Sequence, residues 1–252
     1  MKSRHLLGLL ALSLAPAFLF QPVRADLPDP ATKDKVPPIA FVTAAIWKQL
    51  DFADFTLIGS LRSDKTKQHY PIILRTRKHE MVYEFKDQPL QIRIQLDPGS
   101  ITIQKRTSST EAWANVSAAE MPKPILGTDI TYQDLGINFI NWDDIQPLGT
   151  DSIKTLDAYV FEAKPGPTDN CPFSSIRFWV SKQYWAFLRI DGINAKGQTV
   201  KRVEVQNVMQ IGKYYVFKEM KVANMVPDKN DIAASTPFID LDSGTEGSGL
   251  KD

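Results

Sequence analysis

Few residues of this chain can do acid–base or nucleophilic chemistry, and they are poorly spaced for it. Beyond the first segment the only imidazoles are His69 and His79, both in or beside polar, charged turns. A pair of histidines can hold zinc, but a hairpin between them and no further ligands at metal spacing favour two solvated side chains. Gly-x-Ser-x-Gly, His-Glu-x-x-His, a glycine-rich phosphate loop and Cys-x-x-Cys do not occur. Glycosidase chemistry needs only two carboxylates. Asp143 and Asp144 follow Trp142, which suits sugar binding, yet adjacent acids after a helical segment are more simply a solvated turn. Asp129 and Asp134 read as turn and capping residues. Cys171 is the single cysteine and stands beside Pro172, with no histidine or basic cluster to lower its pKa, so it reads as structural. The expectation is a non-enzyme with no catalytic residue, metal or cofactor.

What the sequence does write repeatedly is strand. In Gln91-Ile92-Arg93-Ile94-Gln95-Leu96, the turn Asp97-Pro98-Gly99-Ser100 and Ile101-Thr102-Ile103-Gln104, the isoleucines and Leu96 share one face while the polar residues share the other. Similar alternation predicts strands over 55–61, 70–77, 81–86, 90–96 and 100–106, and again over 158–163, 175–181, 185–190, 200–208 and 214–220. Helix is scarce. Ile39, Val42, Ile46, Trp47 and Leu50 recur at helical spacing, and Thr131 with Asp134 resembles a helix start, with helical turns to about Trp142. A broad antiparallel sheet with so little helix to cover its dry face must curl, and its concave side can hold an apolar ligand.

The ends and composition set the context. Lys2 and Arg4 precede an apolar run from Leu6 to Phe20, ended by Val23-Arg24-Ala25, which predicts a signal peptide over 1–25 cleaved after Ala25. The run contains Pro16 and is shorter than the ~20 residues of a spanning helix. No cysteine stands in the first thirty residues to carry a lipid. Residues 26–38 read as a proline-rich spacer, 39–226 as one domain and 227–252 as a mobile tail, in which Phe238-Ile239-Asp240-Leu241 can add at most an edge strand. Cleavage removes Lys2, Arg4 and Arg24, so the formal charge moves from +1 to −2. Nucleic acid binding is therefore not expected.

The segment Gly127-Thr128-Asp129-Ile130-Thr131-Tyr132-Gln133-Asp134-Leu135 resembles a motif of the outer membrane lipoprotein-sorting proteins, relatives of the periplasmic carrier LolA. The strand Met81-Val82-Tyr83-Glu84-Phe85 and the closing run from Ile190 to Met225, with its Asp-Gly and Lys-Gly, extend the likeness over roughly residues 39–225. The resemblance implies an α+β, mainly antiparallel β fold: an unclosed β-barrel, or half-barrel, of ten or eleven strands with a few short helices covering its mouth. It implies a soluble, exported, non-lipidated periplasmic monomer. Lipoprotein acyl chains or another lipid would lie in the concavity, with an inner-membrane transport ATPase and an outer-membrane acceptor as partners. A sensor or interaction module that regulates a membrane partner on the same fold is the alternative. Candidate cavity residues are Trp47 of the first helix, Phe55 and Leu57, Tyr83 and Phe85. Ile92, Ile94, Ile101 and Ile103 of the central hairpin, Tyr132 and Leu135 of the motif, and Phe178 complete the set. A basic residue ties the cover to the barrel in such carriers, and Arg75 and Arg93 are the candidates by position.

Overall fold

The structure, a computed structural model, describes residues 36–169, 171–227, 229 and 232–250. The signal peptide read over 1–25 and residues 26–35 of the spacer lie outside the described residues. In chain order the elements are α1 (Ile39–Gln49), β1 (Phe52–Arg62), β2 (His69–Lys78), β3 (Glu80–Phe85), β4 (Leu90–Asp97), β5 (Ser100–Arg106) and β6 (Ala114–Asn115). Two 3₁₀ turns, Tyr132–Leu135 and Asn138–Asn141, precede β7 (Asp144–Ile153), β8 (Leu156–Lys164), β9 (Ser175–Ser181) and β10 (Phe187–Ile193). The chain then runs through β11 (Thr199–Ile211), β12 (Tyr214–Met225), β13 (Ala233–Ser235) and β14 (Phe238–Glu246).

These fourteen strands form one antiparallel, unclosed sheet ordered β6-β5-β4-β3-β2-β1-β14-β12-β11-β10-β9-β8-β7, with β13 beside β12. It is the curled sheet that the alternation predicted and the half-barrel that the resemblance implied. Alternation makes the curl: along β4, Ile92, Ile94 and Leu96 are buried while Arg93 and Gln95 are not, and Ile94 faces Ile103 across the hairpin. The φ of +85° at Gly99 closes that hairpin. On the concave side β1–β5, β11, β12 and β14 build one core, and α1, the second 3₁₀ turn and β7–β10 build another. Trp47, Leu50 and Ile137 pack against both.

Two strands depart from the sequence reading. The C-terminal residues expected as a mobile tail with at most an edge strand instead contain β14, which sits inside the sheet between β1 and β12. Ile239 and Leu241 are fully buried. The Ser- and Gly-rich composition misleads because the polar backbone is satisfied by distant residues. Thr56 Oγ1 donates to the Gly247 carbonyl at 2.7 Å, and Arg75 Nη1 donates to the Ser248 carbonyl at 3.0 Å. The second departure is β7, which the alternation did not show. It is a sheet edge on which Ile145 and Ile153 alone are buried, and it carries Pro147 and a bulge before Gly149, features an edge strand tolerates. Together with the two-residue β6 and the three-residue β13, these raise the strand number above the ten or eleven expected.

Candidate functional site

The segment from Met121 to Trp142 crosses the concave face, and each residue type in it has a local task. Leu126 and Gly127 both adopt positive φ, +50° and +75°, which turns the chain back so that the Ile125 amide donates to the Ile130 carbonyl at 2.7 Å. Thr128 Oγ1 donates to the Ile125 carbonyl at 2.8 Å and steadies that turn. Ile125 and Ile130 plug into the first core, each at most 1% exposed. Thr131 and Asp134 then form the reciprocal cap read from the sequence: Thr131 N and Oγ1 donate to Asp134 Oδ2 at 2.8 and 2.9 Å, and Asp134 N donates back to Thr131 Oγ1. The helix expected here is two separate 3₁₀ turns, because Gly136 and Ile137 between them do not continue the helical hydrogen bonds.

Lys201 of β11 ties this cover to the sheet. Its ammonium donates to Asp134 Oδ2 at 2.8 Å, to the Asp129 carbonyl at 2.8 Å and to Asn224 Oδ1 at 3.0 Å. Three donors meet three acceptors, and the Lys201 and Asp134 side chains are only 9% and 5% exposed. Arg75 and Arg93, the candidates for this tie, do not reach the cover. They alternate with buried residues on β2 and β4 and so point away from the concavity. Arg75 engages Thr56 and Ser248, and Arg93 engages Gln104 and lies over the Trp113 ring at 4.7 Å. Sequence reasoning missed Lys201 because it sits in Lys201-Arg202, a charged pair in a strand with nothing local to mark one member as inward.

Behind the latch lies a cavity of about 160 Å³. Gln133, Asp134, Phe139 and Trp142 form its cover side, and Ile176, Ile190 and Val203 of β9, β10 and β11 form its wall. Phe173, which also lines it, packs against Gly192, where a Cβ would stand 2.7 to 2.8 Å from ring atoms, so the Asp-Gly of β10 makes room for this aromatic side chain. Cys171 also borders the cavity, and burial pushes its thiol pKa up, in keeping with an unreactive role. On the far side of Trp142 runs an open groove of about 390 Å³ between α1 and the start of β7.

Of the twelve residues read as cavity candidates, Trp47 borders the groove. Phe55, Leu57, Tyr83, Phe85, Ile92, Ile94, Ile103 and Tyr132 are buried in the first core, with Ile101 and Leu135 packed against it. Phe178 lies in the second core, stacked with Phe161 at 5.4 Å. None of the twelve lines the cavity itself. The acid–base candidates are also dispersed. His69 and His79 flank the length of β2, on the order of 30 Å apart at strand rise. Asp143 and Asp144 are exposed where β7 begins. Among the described residues no group of three His, Cys, Asp or Glu is placed to hold a metal.

Comparison with known proteins agrees with this geometry. A family model described as uncharacterized protein-like matches residues 108–233. No curated protein matches the chain. A crystal structure of a DUF1329 family protein from Desulfovibrio piger superposes with a TM-score of 0.65 at 16% identity, over 86% of this chain and 96% of that one. An outer membrane lipoprotein-sorting protein domain from Vibrio parahaemolyticus gives 0.65 at 17% identity, over 83% and 93%. A LolA superfamily protein from Nitrosomonas europaea gives 0.57 at 13% identity, over 86% and 96%. At these identities the likeness is one of fold: a LolA-like half-barrel.

Proposed function

The chain belongs to the uncharacterized protein-like family whose model spans residues 108–233, half of its length, and from that premise and its LolA-like fold we propose that it is a periplasmic carrier of acylated cargo. The observation that carries this reading is the latched cover: a turned segment lies over an apolar concavity and is held by one buried ion pair, Asp134–Lys201, beside a cavity walled by Phe139, Ile176, Ile190 and Val203. An acyl chain gains roughly 0.8 kcal/mol for each methylene removed from water, so a dry concavity binds it without any specific polar contact. Release is the harder half of the task. A cover whose open and closed states differ by only a few kcal/mol serves it, since cargo then shifts the balance by its differential affinity.

Export by the segment over 1–25, without lipidation, would deliver a soluble chain to the periplasm. There a carrier takes lipid or a lipoprotein's acyl chains from an inner-membrane transport ATPase and passes them to an outer-membrane acceptor. The sorting-protein description of the Vibrio structure, which shares this fold, supports a lipoprotein as the kind of cargo. The scattered histidines and carboxylates fit a binding protein better than an enzyme. The test is native mass spectrometry of the chain purified from its own cell envelope, followed by titration with a fluorescent acyl probe. Co-purifying lipid and saturable probe binding are expected, and a chain that carries nothing and binds no probe ends this reading.

A further inference from the structure

The cavity and the groove share one wall, the indole of Trp142. Phe139 meets that ring edge-on, with centroids 6.5 Å apart and an interplanar angle of 71°. The cavity of about 160 Å³ is close in size to an engineered pocket of ~150 Å³ that accepts benzene, so it holds a small part of a long acyl chain. The groove beyond Trp142 offers about 390 Å³ more. Its walls continue the same chemistry, with Ile39, Ala44 and Trp47 of α1 on one side and Ile140 and Ile145 on the other.

Resting on the carrier reading, we propose that the acyl chain threads from the cavity past Trp142 into the groove along α1, and that Trp142 sets how much chain is retained. Adjacency across the shared Trp142 wall names the occupant: the distal part of the same hydrocarbon chain. Polar lining gives it a direction. The cavity end gathers the Gln133 and Asn138 amides and the Lys201 ammonium, beside the carboxylates of Asp134 and Asp169, and so offers several donors to an ester or amide head, whereas the groove has only Thr43, Asn141 and Asp143 among apolar side chains. The methyl end therefore lies in the groove and the polar end near the first 3₁₀ turn.

The experiment titrates the full exported chain with octanoyl, dodecanoyl and hexadecanoyl fluorescent conjugates. Ala44 is exposed on α1, so Ala44→Trp fills the groove without entering either core. It is expected to weaken hexadecanoyl binding about tenfold and to leave octanoyl binding unchanged. Trp142→Ala removes the partition and is expected to raise the preference for hexadecanoyl over octanoyl about tenfold, with Trp142→Phe intermediate and retaining an aromatic ring against Phe139. Equal effects of these variants on every chain length, or none from Ala44→Trp, overturn the threading path while leaving the carrier reading intact. A wild-type chain that binds none of the conjugates overturns both.

Discussion

Lys201 Nζ stands 2.8 Å from Asp134 Oδ2, in a position where both side chains are almost wholly removed from water. The carboxylate is at once the cap of a 3₁₀ turn and the acceptor of the inward-facing Lys201 ammonium, so local structure of the cover and its attachment to the barrel depend on the same oxygen. Loosening the cover therefore costs the cap its partner charge.

Removing one member of this pair leaves the other buried and uncompensated. Lys201→Met and Asp134→Asn are each expected to destabilise the fold by about 3–5 kcal/mol. The double variant should lose less than the sum of the two, because it leaves no orphaned charge. Urea denaturation of the three variants measures this; strictly additive losses would mean that the two side chains act independently.

How far the sequence reveals this arrangement depends on whether the signal is local. The bounds of β5 and β9 follow directly from alternation at Ser100–Arg106 and Ser175–Ser181, and the start of α1 follows from apolar spacing at Ile39. The capping box was legible because Thr131 and Asp134 are three residues apart. By contrast β14 owes its place to β1, whose residues precede it by most of the chain, and no local pattern records such a pairing. The cavity is hidden for the same reason: its wall comes from single residues of β9, β10 and β11, while the runs rich in aromatic and β-branched residues became core. Lys201 carries no mark of its inward turn except the acid it meets.

The seam at β14 gives a second prediction. Eight pairs join β14 to β1 but three join it to β12, so this strand holds the two halves of the sheet together. Gly59 permits the close approach, since a Cβ there would stand 1.9 Å from the Asp240 carbonyl oxygen. Gly59→Ala is expected to cost about 1–3 kcal/mol through forced backbone shifts, and Ile239→Ala about 2–5 kcal/mol through its cavity. Ending the chain after residue 237 should abolish near-ultraviolet circular dichroism and expose dye-binding apolar surface. A truncated chain that retains cooperative unfolding would show that the halves associate without it.

Acid should loosen the start of the cover. The Lys105 ammonium, together with the Ser117 amide and hydroxyl, pulls the Glu120 carboxyl from its ordinary 4.5 down to about 2. A depressed folded-state value stabilises the fold above the unfolded value and loses that contribution as pH falls from 4.5 towards 2. The turn it holds precedes Met121, whose carbonyl accepts from the Gln133 amide at 3.0 Å, so the loss is transmitted to the cover. Glu120→Gln should flatten the decline in stability across that interval. Parallel slopes for both proteins in urea titrations at pH 5, 4 and 3 would remove Glu120 as the cause.

Cys171 offers a reporter inside the site. Its thiol borders the cavity, and burial raises its pKa, with a smaller push from Asp169 in the same direction. The thiolate is the species that reacts, so alkylation by a maleimide should be slower than for a free thiol at neutral pH and should accelerate as pH rises. An acyl chain seated between the cover and Ile190 would shield the sulfur further. Saturating acyl probe is therefore expected to slow modification at least severalfold, followed by intact-protein mass spectrometry at fixed pH, whereas Lys201→Met, which frees the cover, should speed it. A rate indifferent to ligand would place the bound chain elsewhere on the half-barrel, away from the wall that Cys171 shares with Ile176 and Ile190.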